Sequence, residues 1–158
     1  MQTVQRHERD LIAALIQAGA QEVSHEAIEA VRIEAGYPVF GVDMTDDTIP
    51  LEAGIEQRSI SFTKGCFVGQ EVVVRVLHRG GGRVAKKLVG LKLSGETAIG
   101  SKIFSGDRDI GVLTSVATSP RFGSVALGYV HRDFTAPGTA VTIADRGAVV
   151  TALPMSAA

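Results

Sequence analysis

The sequence predicts an α+β fold, in which residues 1–80 form helices and irregular loops and residues 81–158 form a small antiparallel β-barrel. Three observations lead to this prediction. Apolar residues near the N-terminus recur at helical spacing. Three consecutive glycines, Gly80 to Gly82, interrupt the chain between two arginines and favour a domain junction there. After them come six short apolar runs, separated by turn-forming residues.

Two helices are predicted before the irregular part of the chain. The second covers about residues 25–35, because Ser24 is a suitable N-cap and Gly36 a suitable C-terminal stop. The first is amphipathic and is closed by a glycine; its pattern consists of Val4, Leu11, Ile12, Leu15, Ile16 and Gly19.

Residues 37–65 show no helical period and are interrupted by glycine and proline, so we expect loops and brief strands there. The segment 72–76 is rich in valine and reads as a buried strand by propensity. Acidic Glu71 before it, with Arg75 and His78 towards its end, gives instead the charge order of a short helix. The sequence leaves both interpretations open.

A closed barrel or sandwich is expected beyond the glycines. We expect hairpin turns at 105–107 and 145–147. The predicted strands are Leu88–Leu93, Lys102–Phe104, Ile110–Ala117, Val125–Val130, Thr139–Ile143 and Val149–Leu153.

Composition excludes several functional classes. With 16 basic and 17 acidic residues the net charge is -1, so general phosphate neutralisation does not predict direct nucleic-acid binding. No apolar run approaches the roughly 20 residues that span a membrane. One cysteine forms no internal disulfide, which favours a reducing, cytoplasmic location. The four histidines lack metal-ligand spacing, so we expect no permanently bound metal.

That cysteine, Cys66, lies in the segment Lys64-Gly-Cys-Phe-Val-Gly-Gln-Glu71. A nearby lysine ammonium and the free N–H groups at a helix start both favour a thiolate, so the segment predicts a reactive thiol. The alternative is a buried cysteine that packs as a small apolar side chain beside Phe62 and Phe67.

The same segment resembles the K-G-C-[YF]-x-G-Q-E signature of the YgfZ family of folate-binding proteins, within the aminomethyltransferase superfamily. A second block, Arg32-Ile-Glu-Ala-Gly36 with its following loop, resembles a segment shared by that family and the glycine cleavage T-protein. The resemblance implies that residues 1–80 are the C-terminal part of a folate-binding domain and that residues 81–158 are the family's C-terminal barrel. It also implies tetrahydrofolate as the cofactor, with Glu34 contacting the pterin ring.

Four further residues are candidates for cofactor binding. Arg32 supports the Glu34 carboxylate or faces solvent. Lys64 and Arg79 face the glutamate tail of folate, or act only as solvated surface charges. Gln70 caps the following helix, which is the simpler interpretation, or hydrogen-bonds across the folate channel.

The resemblance further implies a substantial N-terminal domain ahead of Met1, which holds the catalytic aspartate of the T-protein. We therefore expect an incomplete channel and an exposed apolar face, which a separate N-terminal-half polypeptide or a second copy of the chain would cover. The expected function is a tetrahydrofolate-binding accessory protein for iron-sulfur cluster assembly or repair. Its partners would be cluster proteins or assembly factors, and through cluster assembly it would support cluster-dependent enzymes, including tRNA-modifying ones. The alternatives are a folate-dependent aminomethyltransferase and a non-catalytic interaction fragment.

Overall fold

A computed structural model describes residues 2–78 and 81–156, with side chains from residue 7 onwards. Arg79 and the side chain of Val4 therefore lie outside the described residues. Within these residues, five helices precede the barrel: α1 Gln2–Gln17, α2 His25–Ala35, α3 Pro50–Ala53, α4 Glu56–Ser59 and α5 Glu71–His78. Six strands follow, with one short 3-10 turn after the fourth: β1 Lys86–Leu93, β2 Lys102–Ser105, β3 Arg108–Ser119, β4 Gly123–His131, β5 Ala140–Ile143 and β6 Arg146–Thr151.

Helix α2 begins and ends as its sequence predicts. The Ser24 side chain accepts a hydrogen bond from the Ala27 N–H at 3.2 Å, which satisfies one of the free donors of the first turn. Gly36 ends the helix in the left-handed region at φ 72°, where a side chain would also collide with Leu153. The cap at Ser24 fixes where the helix begins, and the close approach of Gly36 to Leu153 fixes its C-terminal turn against the segment that follows β6.

The valine-rich segment after Glu71 is a helix, α5. Its acidic first turn and basic last turn suit the helix dipole, and this charge order prevails over the strand propensity of its valines. No residue of α5 is buried, and Val72 is 55% exposed. The helix consequently presents apolar surface to solvent.

The six strands close into an antiparallel barrel in the order β1-β4-β3-β2-β5-β6, with β6 pairing back to β1. The predicted fold class is confirmed. Alternate residues point inwards, as expected for a closed sheet whose interior is filled by side chains. The barrel core comprises Val89, Leu91, Ile103, Ile110, Leu113, Ala126, Val130, Val141, Ile143, Ala148 and Val150.

The two predicted hairpin turns have different outcomes. The turn after β2 contains Gly106 at φ 59°, as expected. The turn between β5 and β6 is centred on Ala144 and Asp145, at φ 47° and 60°, instead of on residues 145–147. Arg146 and Gly147 belong to β6, because the alternation of inward and outward residues in the two paired strands fixes the register there.

A second apolar cluster joins α2 to the outside of the barrel. Ile33 is fully buried at its centre, against side chains of β1, β4 and the C-terminal segment. The other buried members are Leu88, Val125, Leu127, Tyr129 and Met155. This junction places the last turn of α2, which carries the Arg-Ile-Glu-Ala-Gly block, directly on the barrel. Within the described residues, no helix is long and apolar enough to cross a membrane.

Candidate site at the junction of helix α2 and the barrel

Glu34 lies at the contact between α2 and the turn that joins β3 to β4. Its side chain is 11% exposed, and its Oε1 accepts a hydrogen bond from the Ser119 hydroxyl at 2.6 Å. Arg121 Nη1 lies 3.6 Å from the other oxygen, Oε2. The Glu34 main-chain carbonyl accepts from the Met155 N–H at 2.7 Å. Glu34 is therefore held at its side chain by the barrel and at its backbone by the C-terminal segment, and it is not a solvated acid.

Arg32 neither supports Glu34 nor faces solvent. Its guanidinium is 11% exposed and donates to Asp43 Oδ2 at 2.8 Å, to Ser115 Oγ at 2.8 Å and to Glu29 Oε2 at 2.7 Å. Burial disfavours its charge, but the hydrogen bonds and charges of Glu29 and Asp43 outweigh burial and raise the pKa of Arg32. Both sequence-based alternatives for Arg32, support of the Glu34 carboxylate and exposure to solvent, are wrong. One of its actual partners, Ser115, lies 83 residues away in the sequence and gives no local signal.

A β-bulge in β3 supplies the barrel side of this contact. Leu113 pairs with Gly128 and Ser115 pairs with Leu127, so Thr114 is an extra residue in the ladder. In a regular strand, neighbouring side chains point to opposite faces. Here the hydroxyls of Thr114 and Ser115 both donate to Asp43 Oδ1, at 2.5 and 2.7 Å. The bulge thereby turns two consecutive hydroxyls towards one buried carboxylate.

Tyr129 of β4 lies at the same junction. Its burial, followed by the negative charges of Asp43 and Glu52, raises the pKa of Tyr129 to about 12. Its phenol therefore stays protonated at physiological pH. Lys86 Nζ lies 5.1 Å from the centre of its ring.

A cleft of about 560 Å³ opens beside the C-terminal turn of α2. Its lining includes Arg58, which stacks over the Tyr37 ring at 4.1 Å, and Lys87 of β1. This volume is within the range of small-molecule sites. The cleft continues along Ala35 and Gly36, the residues that follow Glu34.

The cysteine segment forms an exposed loop ahead of α5. Cys66 is a free, exposed thiol, so the buried-cysteine alternative is wrong. Lys64 Nζ lies 4.8 Å from the centre of the Phe67 ring. Gln70 Oε1 accepts from the Phe67 N–H at 3.3 Å, which closes the turn before the helix begins at Glu71. No group of three metal-ligating side chains occurs in residues 7–78 and 81–156.

The structure therefore divides the predicted site residues into two groups. Glu34 and Arg32 lie at the junction, in separate hydrogen-bond networks, whereas Lys64, Cys66 and Gln70 lie in the loop before α5. The cofactor-binding and thiol roles of these residues stay predictions. Asp43, Ser115, Ser119 and Arg121 had no predicted role. The one available signal was Asp43, which ends the Gly-Val-Asp segment after the Arg-Ile-Glu-Ala-Gly block.

Comparison with known proteins gives the family context. Residues 86–157 match the family model of the glycine cleavage T-protein C-terminal barrel domain. An aminomethyltransferase from Halothermothrix orenii is 34% identical over 128 residues, which cover 79% of this chain and 35% of that protein. An aminomethyltransferase from Prochlorococcus marinus is 32% identical over 148 residues, 92% of this chain and 39% of the relative.

The fold has a solved counterpart. The glycine cleavage system aminomethyltransferase T from Bartonella henselae superposes with a TM-score of 0.70 at 28% identity, over 80% of this chain and 37% of that structure. A putative chloroplastic transferase from Arabidopsis thaliana is 32% identical over 142 residues, 89% of this chain and 32% of its own length. The chain thus spans roughly two-fifths or less of the length of these relatives.

The fold and the junction define a T-protein-type barrel with a helical segment docked on its outer face. These similarities support the wider superfamily of the glycine cleavage T-protein and its aminomethyltransferase relatives for this chain.

Proposed function

We propose that this chain binds tetrahydrofolate at the junction of α2 and the barrel and takes part in folate-dependent one-carbon chemistry related to aminomethyl transfer. The observation that carries the proposal is the state of the Glu34 carboxylate. One oxygen is anchored by Ser119, and the other accepts no hydrogen bond from the described residues. Such a carboxylate fits the aminopyrimidine edge of a pterin, which presents two parallel N–H donors. The superfamily relationship supports the same ligand class.

Calorimetric titration with tetrahydrofolate tests this proposal. The chain is titrated alone and after mixing with the N-terminal part of an aminomethyltransferase relative, in case the site requires both. We expect saturable binding that is weakened about 10-fold or more in Glu34→Gln, since a hydrogen bond to a charged group is lost. Glu22→Gln is the matched control, because it removes the same charge from an exposed position. Absence of saturable binding in both settings would refute the proposal.

A second candidate function is favoured by the exposed Cys66 in its Lys-Gly-Cys-Phe-Val-Gly-Gln-Glu loop. In this proposal the chain is a YgfZ-type accessory protein that supports iron-sulfur cluster assembly or repair, including that of tRNA-modifying enzymes. A single thiolate does not hold a cluster, which needs about four protein ligands, so its contact would be transient or shared with a cluster protein or assembly factor.

Two assays separate the candidates. Aminomethyl transfer to tetrahydrofolate that depends on the chain favours the transferase, whereas binding without turnover favours the accessory protein. In cells that lack their own copy, Cys66→Ser should fail to restore cluster-dependent enzymes, while Val68→Ala, at a fully exposed position of the same loop, should restore them. Full restoration by Cys66→Ser would exclude a role for the thiol.

The exposed apolar face of the helical part supports a protein partner. Leu11 and Leu15 of α1 are 61% and 50% exposed, and Phe62 and Phe67 of the cysteine loop are 65% and 50% exposed. We propose that an N-terminal-half polypeptide or a second copy of the chain covers this face. Sedimentation of the chain alone and with the N-terminal part of a relative distinguishes the two: self-association supports the second copy, and a mixed complex supports the first.

A further inference from the structure

We propose that the cleft of about 560 Å³ is a binding site for a free acidic amino acid, of which L-glutamate is the test case. The inference goes beyond folate binding and concerns the sides of the cleft that α4 and β1 form. It begins from three charged side chains in the lining: Glu56 and Arg58 of α4, and Lys87 of β1. A ligand of complementary charge carries two carboxylates and one ammonium group.

The protein neutralises neither cation of this cleft. Arg58 and Lys87 are exposed, and neither forms an ion pair with a carboxylate of residues 7–78 or 81–156. A single exposed cation is commonly solvated, but these two line one concave volume. Charges of one sign that line a cleft add their fields, so the site attracts anionic groups.

The Arg58 guanidinium is also held in an orientation suited to a carboxylate. It stacks on the Tyr37 ring, 4.1 Å from the ring centre. Stacking uses the face of the guanidinium and leaves its N–H edge for a carboxylate, which arginine binds through two parallel hydrogen bonds. Part of the cost of ordering this long side chain is therefore met before a ligand binds.

Glu56 supplies the negative charge of the cleft. Its Oε2 is buried and makes no hydrogen bond within the part of the chain that the structure describes. A buried carboxylate oxygen without a donor is costly, so Glu56 gains from a charged N–H group. The described ion pairs do not join it to Arg58 or Lys87, and the residue as a whole is only partly buried. Its carboxylate can thus turn towards an ammonium group of a ligand in the cleft.

These charges together select the class of ligand. Glu56 repels an anion that lacks a positive group, such as phosphate. An acidic amino acid offers one carboxylate to each of Arg58 and Lys87 and its ammonium group to Glu56. An N-acylated amino acid keeps an N–H donor but loses the positive charge, and a hydrogen bond between two charged groups is the stronger one.

Calorimetric titration of the full chain with L-glutamate tests the inference. We expect saturable binding that weakens about 10-fold in each of Arg58→Gln, Lys87→Gln and Glu56→Gln, because each substitution removes a hydrogen bond between charged groups. Arg58→Lys should also weaken binding, since lysine lacks the planar fork. Lys86→Gln is the matched control and should bind as the unchanged chain does, because Lys86 precedes Lys87 on β1 and does not line the cleft.

Two further ligands test the role of Glu56. Glutarate keeps both carboxylates and has no amino group, and N-acetyl-L-glutamate carries a neutral amide in its place. Both should bind about 10-fold more weakly than L-glutamate to the unchanged chain. In Glu56→Gln, the affinities for L-glutamate and glutarate should differ by less than about 2-fold, because the ammonium group and the Glu56 carboxylate act as a pair.

Three outcomes would overturn the inference. Absence of saturable L-glutamate binding up to about 10 mM would remove the site. Unchanged affinity in folded Arg58→Gln and Lys87→Gln variants would place the ligand outside this cleft. Equal affinities of the unchanged chain for L-glutamate and glutarate would remove the ammonium contact, and with it the amino acid as the ligand class. These results leave the folate proposal untouched, because Glu34→Gln tests that proposal separately.

Discussion

The guanidinium of Arg32 donates to the carboxylate of Asp43 at 2.8 Å across the junction, and the Asp43 side chain has no exposed surface. A buried charge that loses its partner is costly, because neither water nor another group replaces the contact. Asp43 also accepts the hydroxyls of Thr114 and Ser115, so one carboxylate ties both α2 and its following loop to the barrel.

We therefore predict that Asp43→Ala lowers the free energy of unfolding by about 3 kcal/mol. This is at the lower end of the usual range, because Arg32 keeps its contact with Glu29. Urea denaturation monitored by circular dichroism gives the value. Asp109→Ala removes a carboxylate from the exposed pair with Lys102 and should leave the unfolding midpoint unchanged. Equal effects of the two substitutions would show that burial does not decide how much each carboxylate contributes to the free energy of unfolding.

Acid should weaken the same network. The hydrogen bond from Arg32 lowers the pKa of Glu29 below 4.5, its value in an unfolded chain, despite partial burial. Between the two values the unfolded chain binds more protons than the folded one, so stability falls as the pH falls. The difference in melting temperature between the unchanged chain and Glu29→Gln should thus have its largest value above about pH 5. It should decrease steadily as the pH falls below 4.5. A difference that is constant from pH 7 to pH 3.5 would contradict the assigned contact.

The turn between β5 and β6 contains a correctable strain. Ala144 has φ 47°, a left-handed conformation that a residue with a Cβ adopts at a cost. Ala144→Gly should raise the free energy of unfolding by about 1 kcal/mol, because glycine adopts this conformation freely. Ala140→Gly, at the exposed start of β5, is the matched control with the opposite sign: a loss of roughly 0.5–1 kcal/mol. Thermal denaturation compares the two, and destabilisation by both would argue against the turn geometry.

The contact between β3 and β4 leaves no room at Gly111. A Cβ there would overlap the carbonyl oxygen of Tyr129 on β4. Gly111→Ala should destabilise the barrel by about 3 kcal/mol or more, since strand backbones would have to move apart. Gly65→Ala is the control, because a Cβ at that position meets nothing within 4 Å. Amide hydrogen exchange in β3 and β4 should accelerate in the first variant only.

The parts of the fold that the sequence predicts well are those governed by local chemistry. The cap at Ser24, the stop at Gly36 and the six alternating apolar runs are each decided by neighbouring residues. The β5–β6 turn lies earlier than the sequence predicts, because Ala144 gives no turn signal although it adopts a positive φ. Valine propensity left α5 undecided for a similar reason: a short apolar run suits either structure.

The hydrogen-bond partners of the site residues are not predictable from the sequence. The sequence predicts site roles for Glu34 and Arg32 from one helical turn, but their partners Ser119 and Asp43 come from elsewhere in the chain. Hydrogen bonds across 85 residues depend on tertiary packing, which no spacing rule encodes. The bulge at Thr114 is likewise invisible in the sequence, and it determines that two adjacent hydroxyls meet one carboxylate.

Closure of the barrel determines which part of the protein aggregates on heating. Because β6 pairs with β1, every described strand of the barrel has a neighbouring strand on both sides, and no free edge strand is available to recruit an extended peptide. Aggregation on heating should accordingly start from the exposed apolar residues of the helices that precede the barrel. The barrel itself should remain folded in the precipitate. Limited proteolysis of such precipitate should release an intact fragment that starts near Lys86.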